Sequence, residues 1–346
     1  MLGDVPSRVI HKPGRYAVML NARAKRWTGE LHEAVSRWVP TRDLFLTDDF
    51  RQASKTVDRI LSAGVYEVLF TGGGDGTIVY LMNAIEERIA SGQLAREDAP
   101  PVGVLRMGTG NALATYLECR NVVDDLRSLS GGSPIVVYDM HMVSTSDGLV
   151  PFAGFGWDAT ILNDYDSFKE SVRETAVESV ATGLGGYAAS IVTRSIPSAL
   201  GSDRKHARIT ANGPAVLIHP KTGDVLDEYL ADDVIYEGVV DQLAASTIPY
   251  WGFNVRMFPH CTKRPGFFEL RCYHGGVANI LKTVPFRFWS GDFEEHECAD
   301  FLCTDISVEI VDGAMSYHVA GDPGGYERAV RWAISEHPTP LAVPLR

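Results

Sequence analysis

Residues Val68 to Asn83 read VLFTGGGDGTIVYLMN, an apolar run followed by four glycines set around one carboxylate, Asp75, and one threonine, Thr77. A strand that gives way to glycines at the mouth of a helix is an arrangement for binding phosphate. Gly73, Gly74 and Gly76 carry no Cβ, so their N–H groups can approach an anion, and the helix dipole favours negative charge there. The same composition also makes a plain tight turn. Asp75 weighs against that reading: a carboxylate beside a phosphate is repulsive unless a cation or a proton-transfer task compensates it. There is no G-K-[ST], and the glycine spacing is not G-x-G-x-x-G, so the run is neither a Walker loop nor a dinucleotide fingerprint. A second loop of similar construction, Gly108-Thr109-Gly110-Asn111, follows another apolar run in VGVLRMGTGNALATYL. Two such loops after two strands make coincidence a poor explanation.

Both loops need strands to hold them. Tyr16–Leu20, Asp43–Thr47, Val65–Phe70 and Val102–Arg106 read as strands, while Leu31–Trp38, Ala53–Ala63, Thr77–Ala90 and the start at Asn111 read as helices. Alternation at this spacing predicts a Rossmann-like α/β domain with a parallel sheet, and ligands in such sheets bind beyond the carboxyl ends of the strands. The pattern changes near Gly131-Gly132-Ser133-Pro134. Short strands then dominate, among them Ile135–Asp139, Val150–Phe155, Asn254–Phe258, Phe267–Tyr273 and Ile306–Val311, with a helical interruption over 166–195. These predict an antiparallel β-sandwich. The expected domains are residues 1–133 and 134–346, an arrangement that leaves the last residues able to pack back on the first domain.

The chain's 346 residues are many for one core, which also favours two domains. A net charge of −12 argues against nucleic acid as a partner, because phosphate contacts need clustered Lys and Arg. The cysteines, Cys119, Cys261, Cys272, Cys298 and Cys303, form no C-x-x-C pair, so neither a zinc site nor a disulfide framework is indicated and a reducing compartment fits. His141, His219 and His260 are scattered without metal-ligand spacing. The N-terminal stretch lacks a signal peptide's apolar core, and no run reaches the roughly 18–20 apolar residues that span a bilayer. A cytoplasmic protein is expected, at most peripheral on the inner face of the membrane.

G-G-D-G-T at Gly73–Thr77, followed about 30 residues later by G-T-G-N, resembles the diacylglycerol kinase catalytic superfamily of bacterial lipid kinases, sphingosine kinases and ceramide kinases. NAD kinases and phosphofructokinases share the first motif more distantly. MLNARAKR resembles the family's first nucleotide-binding turn, FLTDDFRQA its second strand ending at Thr47, FAGFGWDATI its G-f-D-A segment, and YHVAGDPGG its late D-G-[DE] motif. The resemblance implies an α/β domain that holds ATP and Mg2+, a β-rich domain that holds a lipid, and an active site in the inter-domain cleft. Carried over position by position, it implies that Asn21, Thr47, Gly73, Gly74, Asp75, Gly76, Thr77, Gly108, Thr109 and Asn111 hold the nucleotide. It also implies that Asp322 receives the proton of the lipid hydroxyl. The implied partner is a lipid at a membrane surface, and a homodimer is compatible with it.

Phosphoryl transfer asks the protein for positioning, charge neutralisation and one group to orient or deprotonate the hydroxyl. Asp75 is assigned to Mg-ATP and Asp322 to the base, with the reverse assignment left open. Positive charge is expected from Arg23, with Lys25 and Arg26 beside it, and from Arg106, which stands where relatives have proline and either reaches phosphate or pairs with an acid such as Asp75. Asp158 either positions the acceptor or caps a helix. Asp322, before Pro323-Gly324-Gly325, also reads as a turn aspartate. LKTVPFRFWSGDF mixes Lys282, Arg287, Phe286 and Trp289 in a way that suits a lipid headgroup region or an ordinary core edge.

Three departures from the family pattern stand out. Tyr80 replaces an acid. Arg264-Pro265 precede Gly266 where bacterial relatives carry a magnesium-binding D-G turn, so no structural metal is expected there. Ala320-Gly321-Asp322 keeps one acid of two. The leading expectation is an ATP-dependent kinase for the primary hydroxyl of a diacylglycerol, ceramide or sphingoid base. The alternatives are an NAD kinase-like small-molecule kinase and an inactive relative that kept its ligands.

Overall fold

The computed structural model describes residues 6–24, 27–108, 110–157, 159–160, 204–252, 254–276, 279, 290–291, 293–294 and 296–345. The chain forms two units: Met1–His141 with Tyr250–Asn254 and Ser335–Arg346, and Met142–Pro249 with Val255–Ile334. In chain order the elements begin with β1 (Arg8–Ile10), β2 (Tyr16–Asn21), α1 (Gly29–Trp38), β3 (Leu44–Thr47), α2 (Phe50–Ala63), β4 (Val68–Gly73), α3 (Asp75–Ala90), β5 (Val102–Arg106), α4 (Ala112–Tyr116), α5 (Val122–Ser130) and β6 (Ile135–Met140). Next come β7 (Val143–Thr145), β8 (Gly148–Val150), β9 (Phe152–Gly156), β10 (Lys205–Ala211), β11 (Ala215–Ile218), β12 (Val225–Tyr229), β13 (Val234–Val240) and β14 (Gln242–Ser246). The chain closes with β15 (Phe268–Tyr273), β16 (Cys298–Cys303), β17 (Asp305–Ile310), β18 (Met315–Val319), β19 (Asp322–Glu327), β20 (Ala329–Ile334) and β21 (Thr339–Pro344).

Among the described residues the first unit holds one sheet in the order β1-β6-β21-β5-β4-β2-β3. β2, β3, β4, β5 and β21 pair in parallel, whereas β6 runs antiparallel to both β21 and β1. The sheet is therefore mixed, which corrects the expected parallel sheet. The reason lies in the chain path. β6 leads out of this unit and β21 leads back, and Met140 at the end of β6 pairs with Thr339 at the start of β21. His141 Nδ1 lies 2.8 Å from the Ser335 carbonyl at the same place. A chain that leaves and returns at one point lays its two strands antiparallel without a crossover helix. β6 follows the sequence boundary at residue 133, yet it pairs in the first unit's sheet.

The central strands position the glycine loops. β4 is buried along its whole length between β2 and β5, as its unbroken apolar start implies for a strand covered on both faces. α3 covers it with Ile78, Leu81, Met82 and Ile85, all buried. Each such side chain contributes about 1.5–3 kcal/mol over leaving it in water. α2 begins where Asp49 accepts the Gln52 N–H and the Gln52 side chain accepts the Asp48 N–H, and it ends at Gly64 with φ 62°. Ala53, Val57 and Ile60 give it one buried face.

The second unit has two sheets among its described residues, β13-β10-β17-β20-β7-β8 and β12-β11-β16-β15-β14-β9-β18-β19, and their pairings are antiparallel. They share a core. Trp332 of β20 meets Phe155 of β9 at 5.8 Å between ring centroids and donates from its indole to the Tyr317 hydroxyl of β18 at 3.4 Å. Asn254–Phe258, expected as a strand, is outside every named strand. The helical interruption over 166–195 lies outside the described residues, as does most of LKTVPFRFWSGDF.

The second unit also buries a charge cluster. Arg271 on β15 faces Asp300 on β16, and its guanidinium forks onto both carboxylate oxygens at 2.9 and 2.5 Å. It donates to Met257 O at 2.6 Å and lies over the Phe293 ring. Glu269, fully buried, is 3.8 Å from the same guanidinium and accepts the His260 N–H at 2.7 Å. One guanidinium thus faces two carboxyl groups. Burial, and then the Asp300 charge, push the Glu269 carboxyl up to about 8.

Candidate active site

β4 ends at Gly73 and α3 begins at Asp75, with Gly74 as the N-cap and no side chain capping this end. A helix start without a side-chain cap offers its first-turn N–H groups to an anion. Close contact explains two of the glycines. A Cβ on Gly73 would stand 2.3 Å from Thr77 Oγ1, and one on Gly108 would stand 2.6 Å from Gly74 Cα. The two glycine loops therefore touch backbone to backbone.

Asp75 joins them chemically. Its Oδ2 accepts the Ala112 N–H at 3.1 Å and its Oδ1 accepts the Leu113 N–H at 3.2 Å. These are the first amides of α4. Asn111, the N-cap residue, is left-handed at φ 52° and supplies no side-chain cap; its amide donates instead to Gly108 O at 2.6 Å. Asp75 caps α4 from the neighbouring loop. The compensation that the sequence led one to expect from a cation comes, at least in part, from two backbone donors.

Beside the first loop lies a pocket of about 260 Å3, at the carboxyl ends of β2 and β3 and the starts of α2 and α3. It brings together four expected residues, Asn21, Arg23, Thr47 and Thr77, with Phe50 and Tyr80. Asn21 Oδ1 accepts the Arg23 N–H at 2.9 Å and so shapes the first loop. Thr47, buried, donates to Leu20 O at 3.4 Å. Arg23 is exposed. A hydroxyl, an exposed guanidinium and an open helix start form a donor set that fits the phosphates of ATP. Among the described residues no three His, Cys, Asp or Glu gather to hold a metal by themselves. Magnesium that arrives on phosphate needs only one or two carboxylates, and Asp48 and Asp49 line this pocket, so its lining is compatible with ATP-Mg.

The model of the diacylglycerol kinase catalytic domain matches residues 17–137, which contain both glycine loops and this whole pocket. This segment belongs to the diacylglycerol kinase catalytic-domain superfamily. Solved structures agree at the level of fold. A Bacillus anthracis str. Sterne protein provisionally named a diacylglycerol kinase is 17% identical over 96% of this chain and 98% of its own, with a TM-score of 0.63. A diacylglycerol kinase from the same strain is 14% identical over 96% and 98%, with a TM-score of 0.59. No curated protein matches the chain.

Other expected residues of the kinase domain fall elsewhere. Arg106, at the end of β5, donates to Thr115 Oγ1 at 3.4 Å, and Thr115 Oγ1 in turn lies 3.3 Å from Asn254 Oδ1. Asn254, left-handed at φ 61°, belongs to Tyr250–Asn254, which groups with the first unit although its neighbours in sequence do not. The sequence pattern predicts the start of a strand at Asn254, where the structure has a left-handed turn. Gly76 is in the first turn of α3. Thr109, Asp158, Lys25 and Arg26 lie outside the described residues.

Asp322 is in the second unit. Ala320 at φ 51° and Gly321 at φ 84° form a two-residue hairpin turn between β18 and β19, and Val319 pairs with Asp322 across it. Two positive φ values are the mark of the turn that suits the twist of paired strands. Asp322 is thus the first strand residue after the turn, and it is exposed.

Phe50 and Tyr80 complete the pocket, and neither was expected there. Tyr80 donates to Phe50 O at 3.1 Å, and the two rings lie 5.1 Å apart. The only signal in the sequence was Tyr80 itself, an aromatic where relatives carry an acid. Among the described residues no helix is long and apolar enough to cross a membrane.

Proposed function

We propose that the protein is an ATP-dependent lipid kinase that phosphorylates a primary hydroxyl of a diacylglycerol, ceramide or sphingoid base. The observation that carries this reading is the gathering of Asn21, Arg23, Thr47 and Thr77 around one pocket, beside the open start of α3, in a segment of the diacylglycerol kinase superfamily. When bound, ATP-Mg supplies the phosphoryl group and neutralises charge on it. Arg23, Thr77, Gly74 and Gly76 hold phosphate oxygens together with Gly108, Thr109 and Asn111 of the second loop, where Asn111 also donates to Gly108 O. Asp75 fixes the two loops against each other.

Asp322 is the base in this reading: it takes the proton of the lipid hydroxyl late, as the O–P bond forms. The reverse assignment is disfavoured because both oxygens of Asp75 already accept backbone N–H groups. Asp158 positions the acceptor. The second unit holds the lipid, which is drawn from a membrane surface, on the inner face for a cytoplasmic protein.

Lipid-dependent ATP consumption by Asp322→Asn tests the assignment. A fall of about 100-fold or more, with ATP binding unchanged, is expected for loss of a general base. Undiminished turnover would contradict it.

A further inference from the structure

The pocket carries an aromatic face that phosphate binding does not use. Phe50, in the first turn of α2, is 72% exposed. Tyr80 rises beside it from α3, with ring centroids 5.1 Å apart and planes inclined by 48°. The Tyr80 hydroxyl donates to the Phe50 carbonyl at 3.1 Å, which holds the half-buried Tyr80 ring against the start of α2. The exposed Phe50 ring, with Tyr80 tilted against one side of it, offers a face on which a base can stack and remove apolar area from water.

An acid stands next to this platform. Asp49 is engaged as the cap of α2, accepting the Gln52 N–H at 2.7 Å. Among the described residues Asp48 is engaged through its backbone N–H, which Gln52 accepts; it is exposed and lines the same pocket. It follows the end of β3, the strand that pairs with β2 and its first loop. A carboxylate at the end of the neighbouring parallel strand is placed to accept from a ribose diol, as in other nucleotide folds built on parallel sheets.

We infer that Phe50, Tyr80 and Asp48 form the nucleoside half of the pocket. The ring pair stacks a purine base and Asp48 accepts hydrogen bonds from the ribose hydroxyls, which makes the site selective for ribonucleotides. Arg23 and Thr77 then face the phosphate half. This inference rests on the kinase reading of the pocket. It also accounts for Tyr80: the position serves the base of the nucleotide rather than a cation.

Calorimetric titration of the full chain with the magnesium complexes of ATP, dATP and inorganic tripolyphosphate tests it. Wild type is expected to bind ATP more tightly than either of the others. Phe50→Ala should weaken ATP binding by roughly tenfold, within the range of one lost base–aromatic stack. It should leave tripolyphosphate affinity unchanged, which also reports an intact fold. Phe50→Tyr should keep the ATP affinity. Asp48→Ala should erase the preference for ATP over dATP. The inference is overturned if Phe50→Ala binds ATP like wild type, if Asp48→Ala keeps the ribose preference, or if wild type binds ATP and tripolyphosphate equally; the kinase reading survives each of these. Wild type that binds neither overturns both.

Discussion

Asp75 Oδ2 accepts the backbone N–H of Ala112 at 3.1 Å, so the carboxylate of the first glycine loop caps the helix that follows the second. With Leu113 held at 3.2 Å by the other oxygen, one side chain ties both glycine loops together. This is a structural use of a residue whose place in the sequence points to catalysis.

Replacing Asp75 separates these roles. Asp75→Ala leaves two N–H groups at the start of α4 without their acceptor, which costs about 1–3 kcal/mol. The expected result is a lower urea midpoint together with faster hydrogen exchange at the Ala112 and Leu113 amides. Unchanged exchange at those two amides would show that the cap does not hold in solution.

Asn111 supports the same loop differently. It is left-handed and donates to Gly108 O. Asn111→Gly removes the hydrogen bond but tolerates the backbone, while Asn111→Ala loses both. Alanine should therefore be the more destabilising, by about 1 kcal/mol, as read from paired urea melts.

Ala320 sits at φ 51° in the β18–β19 turn, a conformation that costs a residue with a Cβ roughly 1–2 kcal/mol. Ala320→Gly relieves that strain and returns part of the gain as unfolded-chain entropy. A net stabilisation of about 0.5–1 kcal/mol is expected. A destabilised Ala320→Gly variant would contradict the turn geometry that presents Asp322.

The buried cluster in the second unit predicts a pH dependence. The Glu269 carboxyl lies at about 8 in the folded protein against an ordinary 4.5, so between these values the folded state binds more protons than the unfolded one. Its contribution is fully present below about pH 4.5 and is lost as pH rises through about 8. Glu269→Gln should flatten this part of the stability curve, seen in urea midpoints from acid to mildly alkaline pH. Parallel curves for the variant and wild type would show that Glu269 titrates normally.

Much of the kinase domain was legible because its signals are local. Apolar periodicity placed α2, which starts at Phe50 ahead of the expected Ala53, and the apolar run before the glycines placed β4, which runs from Val68 to Gly73. The antiparallel turn of β6 and β21 was not legible, since it depends on where the chain re-enters the first unit some two hundred residues later. In the site, the family resemblance gave Asn21, Thr47 and Thr77, which the pocket brings together. It did not give the use of Asp75 as a helix cap, the partnership of Arg106 with Thr115, or the Phe50–Tyr80 pair. Those are contacts between loops, and no spacing along one segment encodes them.

Phosphoryl transfer to a lipid is the reaction proposed for this pocket. Mass spectrometry of products after incubating the protein with a total lipid extract, NAD and ATP-Mg tests it most directly. A new lipid phosphate monoester that vanishes in Asp322→Asn is expected. Phosphorylated NAD with no lipid product, or no product at all while ATP and lipid are both bound, would contradict it.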